Sequence, residues 1–261
     1  MAYFWRYDEF KFNNIDSSRY NMYIVSKEGN TDSREIGLNS TLNVNESYKN
    51  TIFEEKKFNR SKFTIEIAKL DTYGSPYVIS IEDYDNILRW LEHDVPLPLE
   101  VDGIIYYGCF VEYSAWNAQK GIITLTFEMT EKWAYSNLLR NTYIVNGSKE
   151  IKLYNKSNIN KNANLNITLE LYNPESEELS DTFKITSKNT DKFFELNKIV
   201  KGDKIKICGD THEIYCINDE NKNIFKNKKG DFIELLYGEN EILIEGTVKV
   251  IIEYQFPIGH R

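Results

Sequence analysis

The sequence is poor in the residues on which covalent, metal-based and acid–base chemistry depends. Its 261 residues include only three cysteines and three histidines. A small, odd number of cysteines in a chain of this length does not form a disulfide framework, and three histidines leave few candidates for general acid–base catalysis. The Gly-x-Ser-x-Gly, phosphate-loop, dinucleotide-binding and His-Glu-x-x-His motifs are also missing. The sequence therefore argues against an enzyme, and we expect neither a cofactor nor a metal ion.

Long apolar runs and clusters of positive charge are missing as well. No run approaches the ~20 apolar residues that cross a bilayer, and the first residues lack the basic and apolar regions of a signal peptide. The formal net charge is −8, with 15 basic and 21 acidic residues in positions 1–140 and 17 and 19 in positions 141–261. Because neither half has a basic stripe, we expect no stable nucleic-acid binding and no membrane insertion.

Aromatic residues are abundant and proline is scarce, which favours strands. The chain has 18 Tyr, 14 Phe and only five Pro, and it is rich in β-branched residues. One helix is predicted over residues 81–91, where apolar residues recur at helical spacing after a capping-box pair, Ser80 and Asp83. Beyond residue 141, short strand-like runs separated by polar turns indicate a β-sandwich. The sequence predicts a mainly β protein with two domains, residues 1–140 and 141–261, the second able to fold alone from about Gly147.

The opening of the chain predicts a tight corner between two strands. Apolar runs flank Asn13 and Asn14, and both asparagines tolerate the left-handed backbone of a tight turn. Asp16 and the two serines that follow it bond readily to their own backbone.

This opening resembles that of the distal tail proteins (Dit) of siphophages and tail-like bacteriocins. Those proteins begin with an aromatic strand, Asn-Gly-Ile/Val-Asp-Ser and a hydrophobic strand, and here Asn14 stands in place of the usual Gly. The resemblance continues in order along the chain, at Trp90-Leu91, Tyr106-Tyr107-Gly108, residues 121–127, residues 133–136, residues 202–207, residues 235–242 and residues 248–254.

The resemblance implies a fold and a structural role. Residues 1–140 would form a β-barrel or sandwich-like ring domain with one α-helix, and residues 141–261 a galectin-like β-sandwich outside the ring. Such subunits form rings, usually hexameric, that join the tail tube protein to the baseplate hub or tail fibre and let DNA pass. The protein would be made in the cytoplasm of the host bacterium and would be located at the tail tip of the virion.

A carbohydrate-binding sandwich that recognises the host cell wall is the alternative function. Galectin sugar sites resemble a cluster of His, Asn and Arg with one stacked Trp. Here the second half has no tryptophan, and its one arginine is Arg261. Of the four tryptophans, Trp90 is predicted to lie in the core, whereas Trp5, Trp116 and Trp133 are candidates for an interface.

Cys208, His212 and Cys216 form the one set of candidate metal ligands. The segments that carry Cys208 and Cys216 are predicted to be strands, so the two cysteines would face each other across a hairpin. A structural zinc site needs four ligands, and no fourth cysteine or histidine lies nearby. We therefore predict two strand cysteines and a turn histidine.

A polar segment over residues 46–60 is the candidate oligomer contact. It is poorly periodic and contains the isolated apolar residues Ile52, Phe53 and Phe58. It is either a solvated surface loop or an arm that clasps a neighbouring subunit through these three residues. A head-to-tail contact of this kind closes into a ring when the rotation fits.

Overall fold

The protein is mainly β in a computed structural model, which describes residues 5–27, 40–47, 50–58, 62–71, 73–117, 121–171, 182–200 and 202–259. Two compact units are present, one reaching to Ala134 and the other spanning Tyr135–Gly259. The expected boundary at residue 140 lies a few residues later, inside a continuous strand, Leu139–Asn155.

The first unit is built on one antiparallel sheet and one helix. Its elements are β1 (Trp5–Asp8), β2 (Phe10–Phe12), β3 (Ile15–Asp16), β4 (Met22–Lys27), β5 (Ser40–Ser47), β6 (Asn50–Phe58), β7 (Lys62–Leu70), β8 (Pro76–Tyr77), α1 (Ile81–Leu91), β9 (Leu97–Val101), β10 (Ile104–Asn117) and β11 (Ile122–Met129). The strand order is β1-β4-β7-β11-β10-β9-β2-β3, and β8 adds to β7. Within the described residues, β5 and β6 pair with each other and with no other strand.

Strand alternation buries one face of this sheet against α1. In β11, every second residue is buried, as expected of a strand with one face in the core. Glycine is required at position 108 of β10, where this strand lies close to the backbone of β11, because a Cβ there would lie 2.1 Å from the carbonyl oxygen of Glu128.

Trp90 anchors α1 to the opening strands, which confirms its predicted place in the core. Its ring stacks on Tyr20 at 4.6 Å and on Phe10 at 5.4 Å between centroids. Its indole Nε1 donates a 3.2 Å hydrogen bond to the carbonyl oxygen of Phe12. Ile81 departs from the predicted apolar stripe: it is the first helical residue and is 79% exposed.

The opening corner is a two-residue hairpin between β2 and β3. Asn13 and Asn14 have φ of 51° and 60°, the left-handed values that the sequence predicts and that a two-residue hairpin with a type I′ turn needs. Ser17 is buried, and its hydroxyl accepts a 3.2 Å hydrogen bond from the backbone N–H of Phe10. This bond ties the residues after the hairpin back to its first strand.

The second unit is a sandwich of short strands around one long ribbon. Its strands are β12 (Ala134–Ser136), which contains the division between the units, β13 (Leu139–Asn155), β14 (Ala163–Asn164), β15 (Asn166–Leu171), β16 (Phe183–Ser187), β17 (Phe193–Leu196), β18 (Lys204–Cys208), β19 (Glu213–Cys216), β20 (Lys228–Gly230), β21 (Glu234–Leu235), β22 (Gly238–Tyr254) and β23 (Pro257–Ile258). The order is β19-β18-β15-β22-β16-β17-β20, with β13 on β22 and a separate β14–β21 pair.

The ribbon of β13 and β22 pairs with strands of both layers of the sandwich. The C-terminal half of β22 pairs with β15, and its N-terminal half pairs with β16. Between the halves, Gly147 and Gly246 lie opposite each other with φ of 87° and 132°. Because a Cβ on Gly246 would lie 2.8 Å from the carbonyl oxygen of Thr182, glycine is needed where the ribbon passes from one layer to the other.

Candidate assembly surfaces

The β5–β6 hairpin is the first candidate surface. The sequence allowed either a surface loop or an arm for this segment. In the structure, residues 50–58 form a nine-residue strand that pairs with β5. An isolated two-stranded hairpin is marginally stable in water. Within the described residues, this hairpin joins no other strand.

A β-bulge interrupts the register of this hairpin. Asn43 pairs with Glu55, whereas Val44 pairs with Phe53, so β6 carries one extra residue at this point. Directly paired residues share a face. By register, Phe53 and Phe58 lie on the same face of the ribbon as Leu42, Val44 and Lys56, whereas Ile52 and Lys57 lie on the other face. Of the three residues predicted for the contact, Phe53 and Phe58 share a face by register and Ile52 does not.

The second candidate surface is the exposed stretch of residues 73–81, which sequence reasoning did not single out. Tyr73, Tyr77, Val78 and Ile81 are 91%, 57%, 54% and 79% exposed. Monomeric proteins rarely expose apolar residues this densely, and such patches mark interaction sites. A signal was present in the sequence, since these residues lie at a turn and a helix start, where an apolar side chain has no core to enter.

Hydrogen bonds hold the start of this stretch in shape. The carboxylate of Asp71 accepts bonds from the backbone N–H groups of Tyr73 and Ser75, at 2.8 and 2.9 Å. Tyr77 then pairs with Lys69 of β7.

The predicted capping box fixes the other end, where α1 begins. Ser80 Oγ accepts a 3.1 Å bond from the backbone N–H of Asp83, and the Asp83 carboxylate accepts a 3.2 Å bond from the backbone N–H of Ser80. Lys69 Nζ lies 2.8 Å from Asp83 Oδ2. Hydrogen bonds from Lys69 and then Ser80 lower the pKa of Asp83 below its usual value. The surface is thus presented by a fixed backbone.

The structure separates the Cys-His-Cys set. Cys208 pairs with Glu213, and Cys216 pairs with Ile205. Cys216 is buried in the core, whereas Cys208 lies on the partly exposed outer side of β18. The expectation that the two cysteines face each other across the hairpin is wrong, because burial of Ile205, Ile207 and Cys216 sets the register. His212 stacks on Phe232 at 4.8 Å.

The outer face of the sandwich is occupied by ion pairs. Glu170 lies between Lys204 and Lys249, at 2.8 and 3.3 Å, and the hydrogen bond from Lys204 is the main cause of its lowered pKa. Lys206 lies 2.6 Å from Glu253. A face of paired Lys and Glu offers a sugar ring no stacked indole, so it gives no support to the carbohydrate-binding alternative.

The candidate interface tryptophans are placed only in part. The side chains of Trp5 and Trp116 lie outside the described residues. Trp133 is partly exposed, with Lys132 Nζ 4.6 Å from the centre of its ring.

Comparison with known families accounts for both units. Residues 6–131 match a family model described as a phage tail protein N-terminal domain. Residues 160–256 match the SPP1 Dit model, described as a siphovirus-type tail component, C-terminal domain. The chain belongs to the distal tail protein (Dit) family. It is therefore a structural protein of a phage tail and not an enzyme, and its place is in the tail of the virion.

The solved structures that resemble this Dit protein are distant in sequence. The crystal structure of SPP1 Dit, described as a paradigm of the hub adsorption apparatus in phages infecting Gram-positive bacteria, is 11% identical with a TM-score of 0.62, and the match covers 95% of this chain and 98% of that one. A chain of the phage P2 baseplate in its activated conformation with calcium is 11% identical with a TM-score of 0.47 over 97% and 98% of the chains. Curated protein sequences give no significant match. The likeness to SPP1 Dit confirms the mainly β, two-part fold.

The described helices give no membrane-spanning segment. Among the described residues, no helix is long and apolar enough to cross a bilayer.

Proposed function

We propose that this Dit protein forms a hexameric ring that joins the tail tube to the baseplate hub or tail fibre and lets DNA pass. Its partners would be further copies of itself, the tail tube protein and the hub or fibre protein. Family membership supports the tail location, and the β5–β6 hairpin supports self-assembly. The protein would be made in the host cytoplasm and added to the tail tip.

The hairpin is the observation that carries the proposal. It pairs with no other described strand, and its register gathers Leu42, Val44, Phe53 and Phe58 on one face. Nine residues of β6 span about 30 Å at ~3.3 Å per residue. A ribbon of this reach, with four apolar residues and Lys56 on one face, can clasp a neighbouring subunit. Repetition of a head-to-tail contact then closes a ring.

Substitutions on the two faces of the hairpin test this role. Phe53→Asp places a charge on the face that carries Phe53 and Phe58, and Ile52→Asp, one position away, places the same charge on the opposite face. Loss of a buried Phe at an interface costs a few kcal/mol. We therefore expect a folded monomer from Phe53→Asp and an intact oligomer from Ile52→Asp, measured as molar mass by light scattering. Circular dichroism of both variants checks that they fold.

The same measurement can refute the proposal. An oligomer of unchanged mass in Phe53→Asp would exclude the Phe53 face of the hairpin as the subunit contact. A wild-type mass that differs from six subunits would exclude the hexamer.

A further inference from the structure

We propose that residues 255–259 form a latch that grips the chain on both sides of β13 and opens as one unit while the core of the sandwich stays folded. The proposal concerns the second unit and does not depend on the ring. Its observations are the hydrogen bonds of this short segment and the course of the ribbon that it closes.

The first grip of the latch is at Ser136, the last residue of β12. The backbone N–H of Ser136 donates a 3.0 Å bond to the carbonyl oxygen of Phe256, and the N–H of Phe256 donates a 3.1 Å bond to Ser136 Oγ. Gln255 Nε2 donates a 2.9 Å bond to the carbonyl oxygen of Ser136. Because Ser136 is buried, its backbone groups depend on the latch for their partners.

The second grip lies just after β13. Ser157 Oγ is 2.5 Å from the carbonyl oxygen of Pro257. The side chain of Asn158 pairs with the backbone of Gly259 in both directions: its Oδ1 accepts a 2.6 Å bond from the N–H, and its Nδ2 donates a 3.1 Å bond to the carbonyl oxygen. This contact therefore holds the main chain of the latch.

The course of the ribbon explains how one short segment reaches both grips. β13 has 17 residues, which would span about 56 Å if they were straight, whereas the five residues of the latch span at most about 17 Å. The ribbon therefore folds back on itself where Gly147 and Gly246 lie opposite each other. Tyr254 Oη donates a 3.4 Å bond to the carbonyl oxygen of Tyr154, from the other end of the ribbon. The latch closes this fold.

The latch is held more by hydrogen bonds than by buried side chains. Among the described residues, the buried core of the second unit reaches along the chain to Tyr254, and Phe256 packs against it only in part. Segments with few buried apolar side chains open at a lower free energy than the core. Because both grips belong to one five-residue segment, loss of either loosens the other. The latch therefore opens as a unit before the core does.

Opening of the latch releases the place where the two units are joined. The second unit begins at Tyr135, and the next residue, Ser136, is the one that the first grip holds. A closed latch fixes this joint, and an open latch frees it. The segment is thus a conformational device that sets whether the joint is held.

Asn158→Ala tests whether the two grips act together. It removes both bonds to Gly259, and residue 158 is exposed, so we expect the variant to fold. Amide hydrogen exchange of the full chain is the measurement. Loss of the two bonds should speed exchange at Gly259 at least about fivefold, and exchange at Ser136, which the other grip holds, should rise by a similar factor. Exchange at Val250 and Ile252 in the core should stay unchanged.

A matched control and a reciprocal variant complete the test. Asn162→Ala removes an exposed side-chain amide of the same loop, which bonds to Glu234 at 3.0 Å, and it should leave exchange at Ser136 unchanged. Ser136→Ala removes the hydroxyl of the first grip. It should speed exchange at Gly259, because coupling between two sites acts equally in both directions.

The exchange pattern decides the proposal. Faster exchange at Ser136 and Gly259 in both variants, with an unchanged core, would support the latch. Faster exchange confined to Gly259 in Asn158→Ala would show that the grips act separately and would overturn it. Equal acceleration at Val250 and Ile252 would show that the whole sandwich unfolds, and an equal effect of Asn162→Ala on Ser136 would show that the loop and not the grip matters; either result would also overturn the latch.

Discussion

Trp90 offers the sharpest test of how the first unit is held together. Trp90→Ala removes a ring that stacks between Tyr20 and Phe10 and a hydrogen bond to the Phe12 carbonyl. Trp90→Phe keeps one aromatic ring in the stack but removes the indole N–H together with the atoms of the second ring. Comparison of the two variants therefore separates the loss of all aromatic packing from the loss of the hydrogen bond and part of the ring system.

The magnitudes follow from burial. Trp90 is 4% exposed, and truncation of a buried tryptophan to alanine costs about 3–5 kcal/mol. In Trp90→Phe, the Phe12 carbonyl loses its donor, which costs about 1–3 kcal/mol. We expect a loss of about 4 kcal/mol for the alanine and about 2 kcal/mol for the phenylalanine variant.

Tryptophan fluorescence during urea unfolding is the measurement. All four tryptophans lie at or before residue 133, so this signal reports on the first unit and not on the sandwich. The three remaining tryptophans report in each variant. Equal losses in the two variants would refute the importance of the stack, and a loss below about 1 kcal/mol in Trp90→Ala would refute its burial.

Four further predictions follow from the fold. Asn14→Gly should leave stability unchanged or slightly higher, whereas Asn14→Val should lower it by about 1–3 kcal/mol, because φ of 60° strains a β-branched residue; urea midpoints check both, and equal midpoints would count against the turn. The pKa of Asp83 is lowered in the folded protein, so its ionised carboxylate contributes stability above the ordinary pKa of 3.8, and this stability is lost as the pH falls through the lower folded value. Lys69→Met should reduce the loss in free energy of unfolding between pH 7 and pH 3, and an unchanged loss would contradict the assignment. A fragment of residues 135–261 should fold by circular dichroism. Residues 147–261, which the sequence alone predicts to fold, lack half of β13 and should be less stable or unfolded; the reverse order would refute the ribbon's role. Duplex DNA at low salt should show no micromolar binding in a gel-shift titration, since positions 1–140 carry a net charge of −6; micromolar binding that weakens steeply with salt would contradict a passive channel.

Local patterns predicted the parts of this fold that local physics decides. The left-handed Asn13 and Asn14, the capping box of Ser80 and Asp83, and the burial of Trp90 each depend on a few neighbouring residues. Burial in β7 and β11 largely alternates for the same local reason, because one face of each strand meets the core.

Features set by long-range pairing escaped the sequence. β5 and β6 alternate poorly, since a bulge interrupts their register. The register of Cys208 and Cys216 is decided by which residues of the two strands enter the core. The exposure of Ile81 depends on what lies around the helix start, which periodicity alone does not report.

The two ends of the sandwich unit lie side by side, and this bears on its evolution. Ser136, at its start, is bonded to Gln255 and Phe256 near its end, through bonds of 2.9 to 3.1 Å. A unit whose ends meet can be replaced by another of similar end spacing with little strain on the chain that bears it. The sandwich can thus be exchanged as a unit, and a lineage could acquire a different second unit while the fold of residues 1–134 stays the same.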